Sequence, residues 1–182
     1  MYYQVLVVIF LSQSLFAATP HAGIFSTVRG KVFIQRSENK TFAKLGDKVF
    51  EGDTILTERN SLAKVLYRNN SMIEVKASSN FLVAKVAHEE AKESMFSLVF
   101  GKIRAVVGTR KEDETFEIKA GETVLGIRGT EVHTEHKNNE TKVRLMSGWA
   151  TVKGYVIKGG QQLIVDTQQN VTVEELTTAE VE

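Results

Sequence analysis

Apolar and polar residues alternate along most of this chain with a period of two. The segments are LAKVLY (62–67), SMIEVK (71–76), FLVAKV (81–86), KIRAVV (102–107), TFEIKA (115–120), KVRLM (142–146) and WATVKGYVI (149–157). Successive strand residues point to opposite faces, so each segment has one face to bury and one to leave in water. Val, Ile and Phe dominate them, and Gly, Asn or Ser bound them, which are strand signals. RNNS (68–71) and KNNE (137–140) predict tight hairpin turns, because Asn tolerates positive φ. The single proline, Pro20, interrupts no segment. One stretch, AHEEAKESM (87–95), places Ala87, Ala91 and Met95 at helical spacing. Nine residues make only about two and a half turns, so it reads as a strand connection holding at most one helical turn.

The pattern also repeats. FSTVRGKVFI (25–34) matches FSLVFGKIRA (96–105), and VRLMSGWATV (143–152) echoes both. A second unit recurs as VFEGDTIL (49–56), IKAGETVL (118–125) and IKGGQQLI (157–164). Recurring strand–glycine–strand units suggest coils that bury their apolar faces on one another. The expected fold is all-β: a solenoid-like stack of short strands, with a β-sandwich as the alternative. Little or no helix is expected apart from the N-terminal leader.

The leader changes the picture at one end. The first 28 residues carry no Lys, Arg, Asp or Glu, and residues 5–11 are a run of seven apolar side chains. Spanning hydrocarbon takes about 20 such residues, so the run suits a secretory signal instead. Small residues at Ala17 and Ala18 suit cleavage. The division expected is a signal peptide over 1–18, cleaved near 17–22, a β domain over 24–170 and an acidic tail over 171–182. The mature chain would hold no integral membrane span, and the periplasm is the compartment inferred. At 182 residues the chain suits one domain with a core of its own. With no cysteine it has no disulfide framework and no thiolate site. A net charge of +1 gives no long-range field for gathering nucleic acid.

Candidate chemistry is sparse. GETVLGIRGTEVHTE (121–135) has neither the spacing of a Rossmann loop nor that of a P-loop. His133 and His136 sit three apart, which on a strand sends them to opposite faces. They read as exposed histidines on a polar face rather than as a metal pair. No G-x-S-x-G elbow is present, and Asp47 and Asp53 follow glycines in turn-like settings. No cofactor, metal or catalytic activity is therefore expected. Arg128, between Gly126 and Gly129, has two readings. It is buried and paired, with Glu131 or Glu122 as partner, or it is exposed and binds a partner's carboxylate; the structural role is the preferred one. Trp149, the only tryptophan, reads as a core or edge residue before a stacking platform for sugar.

In order along the chain, these blocks resemble the FecR domain, the periplasmic domain of iron-dicitrate-type transmembrane regulators. Its V-R-G-T-E-F signature is matched by Ile127, Arg128, Gly129, Thr130, Glu131 and Val132. Its G-D-x-I-x-T element is matched by Gly52 to Thr57. The resemblance covers roughly residues 28–166. Departures are Asn69-Asn70 where Asp-Gly is typical, and Lys119-Ala120 where Thr-Pro is frequent. The cytoplasmic anti-sigma segment, membrane span and C-terminal partner domain of sigma-factor regulators find no match. The resemblance implies the β-rich fold and the periplasmic compartment. Together with the absence of a catalytic constellation it points to a stand-alone module of the cell envelope that binds or signals to an envelope protein, and the residues themselves offer Arg128, Glu131 and Trp149 as candidate binding residues. The alternative is a carbohydrate- or peptidoglycan-binding module, resting on Trp149 and Tyr155.

Overall fold

The computed structural model describes residues 20–88, 91–108 and 111–177. The leader expected over 1–18 lies outside them, as does the end of the tail. The fold is all-β, with seventeen strands and no helix among the described residues. The strands, numbered in chain order, form two sheets.

The first sheet runs β1 (Gly23–Arg29), β6 (Leu62–Tyr67), β7 (Met72–Val75), the second half of β9 (Glu93–Val107), β12 (Thr130–Lys137), β13 (Glu140–Leu145), β16 (Gln161–Val165) and β17 (Val171–Glu175). Short β4 (Lys48–Val49) also pairs with β1. The second sheet runs β3 (Asn39–Phe42), β2 (Val32–Arg36), β5 (Thr54–Thr57), β8 (Ser79–Lys85), the first half of β9, β10 (Thr115–Ala120), β11 (Thr123–Arg128), β14 (Trp149–Val152) and β15 (Tyr155–Lys158). Every ladder is antiparallel except β9–β10. Apart from the β2–β3 hairpin and β4, strands join each sheet in chain order, so the domain grows along one axis. Its units are hairpins that alternate between the sheets.

The sheets face each other across one apolar core that draws on both. Tyr67 of the first sheet meets Phe96 of the second edge-on, with ring centroids 5.0 Å apart. Phe96 also packs on Phe81 and Phe116, at 5.7 and 5.1 Å. All four are fully or almost fully buried, and aromatics of this size dominate core energetics.

Gly30, Gly101 and Gly148 of one repeat, and Gly52 and Gly159-Gly160 of the other, mark corners where the chain changes sheet, whereas Gly121 closes the β10–β11 hairpin within the second sheet. In β9 the change occurs inside one long strand, at Gly101, whose φ is +106°. A Cβ there would lie 2.5 Å from the Ser79 Cα, so both the angle and the space require glycine. The first two copies of the repeat are built alike. The Lys31 N–H donates to the buried Ser61 Oγ at 2.9 Å, and the Lys102 N–H donates to the buried Ser79 Oγ at 2.9 Å. In the third copy Gly148 turns the chain from β13 to β14.

Two local expectations are corrected. WATVKGYVI is not one strand. Lys153 and Gly154 adopt positive φ (47° and 85°) and close a hairpin between β14 and β15. The described residues of AHEEAKESM form no helical turn, and β9 already begins at Glu93; Glu89 and Glu90 lie outside the described residues. Both asparagine pairs behave as expected, with Asn70 at φ 59° and Asn138 and Asn139 at 51° and 61°.

Candidate functional site

The G-D element builds a buried ion pair. Asp53 is fully buried, and its carboxylate accepts from Arg36 Nε at 2.7 Å, Arg36 Nη2 at 2.8 Å and the Phe50 N–H at 2.8 Å. The Arg36 guanidinium also sits 4.3 Å above the Phe50 ring. The hydrogen bond to Asp53 raises the Arg36 pKa above its ordinary value. Turn chemistry at Gly52-Asp53 was legible in the sequence; Arg36, seventeen positions upstream, carried no signal.

The arginine signature spans a corner between the sheets. Ile127 is buried at the end of β11. Gly129, at φ 63°, turns the chain into β12. The Thr130 hydroxyl donates to the Ser147 carbonyl, and the Glu131 N–H donates to Ser147 Oγ at 3.3 Å. Gly148 completes the contact, since a Cβ there would lie 2.5 Å from the Gly129 carbonyl oxygen. Two corners, β11–β12 and β13–β14, are thus locked together.

This corner overturns the expected pairing of Arg128 with Glu131. Arg128 lies on the outer face of the second sheet and is exposed, opposite Trp149 in the β11–β14 ladder. Glu131 lies on the outer face of the first sheet. Gly129 separates them, so they point away from the domain on opposite sides. Glu131 is held instead by Arg104 Nε at 2.7 Å and His133 Nε2 at 3.2 Å. The Arg104 hydrogen bond, opposed by partial burial and aided by His133, keeps the Glu131 carboxyl below its ordinary range. Arg128 makes no ion pair among the described residues, with Glu122 or any other group. Trp149 is 43% exposed, so the core reading fails for it too. Trp149 and Tyr155 do not form a joint platform. Trp149 pairs with Lys158 and Tyr155 with Val152, and their side chains leave the second sheet on opposite sides.

The outer face of the first sheet is a cross-strand ladder of polar groups. Lys64, Glu74, Arg104, His133, Arg144, Gln162 and Glu174 occupy one rung from β6 to β17. Glu74 contacts Lys64 at 3.0 Å and Lys76 at 3.3 Å, and Lys102 contacts Glu135 at 3.0 Å. A depression of 270 Å³ lies among Lys76, Lys102, His133, Glu135, Lys142 and Arg144. Its charges are largely matched within the ladder, which makes it a stabilised sheet face.

His136 corrects the expectation of exposed histidines. It points inward and is only 8% exposed, with Nδ1 2.8 Å from Thr141 Oγ1. Gly121 makes room for its ring, since a Cβ there would overlap it. His133 and Glu135 share the opposite face, as strand parity requires. Among the described residues no three His, Cys, Asp or Glu side chains gather where they could hold a metal ion. No helix among them is long and apolar enough to cross a membrane.

The sequence model of the family described as FecR protein matches residues 53–151, more than half of the chain. The chain belongs to the FecR family. Two crystal structures of a candidate anti-sigma factor from Parabacteroides distasonis ATCC 8503, at 1.65 and 2.50 Å resolution, share its fold. Each superposes with a TM-score of 0.59 at 12% identity. The match covers 67% of this chain and 59% of that one, so it spans well under two thirds of the solved protein. No curated protein matches the chain. Within this FecR domain the signature residues divide in two. Gly52, Asp53, Ile127, Gly129 and Thr130 build framework, whereas Arg128 stands exposed and Glu131 joins the surface ladder.

Proposed function

We propose that this FecR domain is a non-catalytic signalling or regulatory module of the cell envelope. It faces the periplasm, is delivered there by residues 1–18, and acts by contacting another envelope protein. Family membership supports the regulatory role, and the likeness to a candidate anti-sigma factor agrees with it. The observation that carries the contact is the edge of the second sheet. Among the described residues β15 pairs with no strand but β14, and on its other edge only the Lys158 N–H is taken, by Gln161 Oε1 at 3.0 Å. Open edges are templates for strand addition unless charge or shortness blunts them. β3 carries Asn39 and Lys40, and β17 carries Glu174 and Glu175. β15 is as short as β3 and ends in Lys158, but it presents two adjacent apolar side chains, Tyr155 and Val156, 51% and 62% exposed, where β3 presents only Phe42. A photo-crosslinking side chain at Tyr155, activated in living cells, should capture one envelope protein, and the same group at Thr41 should not. Equal capture at both sites, or none at Tyr155, would reject the reading. Export of the intact chain and not of one lacking residues 1–18 tests the compartment.

A further inference from the structure

On the outer face of the second sheet two cross-strand rows lie side by side. One is Arg128, Trp149 and Lys158; the other is Glu117, Gly126, Thr151 and Val156. Neighbouring strands are about 4.8 Å apart and alternate residues about 7 Å, so the centre of the patch measures roughly 10 by 7 Å. An exposed indole occupies it. Gly126 leaves the floor beside the indole open, since the nearest atom to a Cβ there would be the Thr151 carbonyl oxygen at 3.9 Å. Arg36, Arg68, Arg104, Lys64 and Lys102 each hold a carboxylate of their own chain. Arg128 and Lys158 hold none among the described residues.

Each part of the patch answers one part of an acidic sugar. The indole face suits the C–H face of a pyranose ring. The Thr151 hydroxyl and the Glu117 carboxylate suit ring hydroxyls. The Arg128 fork and the Lys158 ammonium, on either side of the indole, suit a carboxylate. An acidic peptide would meet Glu117 as a like charge and leave the open floor unused. We propose that this patch binds a carboxylated glycan, namely the muramic-acid-containing glycan of the cell wall.

Trp149 is the only tryptophan, so its fluorescence reports this site alone. The purified full chain is titrated with peptide-free glycan fragments of alternating N-acetylglucosamine and N-acetylmuramic acid. Chitin oligosaccharides, which lack the lactyl carboxylate, and poly-glutamate are titrated in parallel. The muramic fragments should give a saturable emission change, with chitin at least about tenfold weaker and poly-glutamate inert; a tenfold ratio corresponds to about 1.4 kcal/mol. Arg128→Gln should weaken muramic binding about tenfold with an unchanged melting curve. Trp149→Ala should abolish co-sedimentation with insoluble cell wall while Trp149→Phe retains part of it. The proposal is overturned if muramic fragments leave the emission unchanged or chitin binds equally well. It is also overturned if poly-glutamate binds as well, or if Arg128→Gln or Trp149→Ala binds like the native chain.

Discussion

Replacing Asp53 by Asn removes a charge and keeps the shape. The native carboxylate takes three hydrogen bonds, two from Arg36 and one from the Phe50 N–H. The amide oxygen of Asn can retain two of them. Its NH2 group must then face Arg36 Nε, donor against donor. Losing one charge-assisted bond costs about 1.5–3 kcal/mol, and the surviving bonds weaken as the ionic character goes. Breaking a fully buried pair costs about 3–5 kcal/mol. Here the arginine side chain is half exposed (51%) and turns to water, which lowers the cost. The expected loss is about 2–3 kcal/mol, or a Tm lowered by about 4–12 °C for a domain of this size. Calorimetry of purified native and variant chains measures it, with near-ultraviolet circular dichroism to verify native packing at low temperature. A shift below about 1 °C would refute the claim that this ion pair anchors the β4–β5 corner.

Two further outcomes follow from the same structure. Gly148→Val sets a Cβ against the Gly129 carbonyl and forces a branched residue to φ 73°, so denaturant unfolding should give a loss of about 3 kcal/mol or more. Glu131 is ionised more readily in the folded chain than in the unfolded one. Its contribution is therefore complete above the ordinary carboxylate pKa of about 4.3 and lost as pH falls through the lower folded value. Glu131→Gln should cost about 1 kcal/mol at neutral pH and flatten the acid limb of the stability profile, measured by urea unfolding across pH.

Much of the fold was legible because period two is a strong signal where one face is buried. Thr115–Ala120 and Leu62–Tyr67 form strands with the boundaries the alternation implies. The hairpin at Lys153-Gly154 was hidden in an apolar run, where the lone Gly154 was the one signal of a break and Tyr155, Val156 and Ile157, all apolar, conceal the face each takes. The buried positions change parity between Val152 and Ile157, which one straight strand cannot do. The site was harder to read. Arg128 and Glu131 are three residues apart, and only the corner at Gly129 sends them to opposite sides. The partners of Asp53 and Glu131, namely Arg36 and Arg104, come from distant strands, and an alternating pattern assigns a face without a partner. The repeats were visible as sequence, but which glycines turn the chain into the other sheet, as Gly101 and Gly148 do, and which close a hairpin within one, as Gly121 does, depends on pairings that the sequence does not contain.

The central claim is that the FecR signature combines buried framework with one exposed side chain free to recognise a ligand. Equilibrium denaturant unfolding of Arg128→Gln tests it most directly. An exposed arginine without a carboxylate partner predicts a stability within about 0.5 kcal/mol of the native chain. A loss of about 2 kcal/mol or more, comparable to that expected for Asp53→Asn, would mean that Arg128 holds the fold and would contradict the claim.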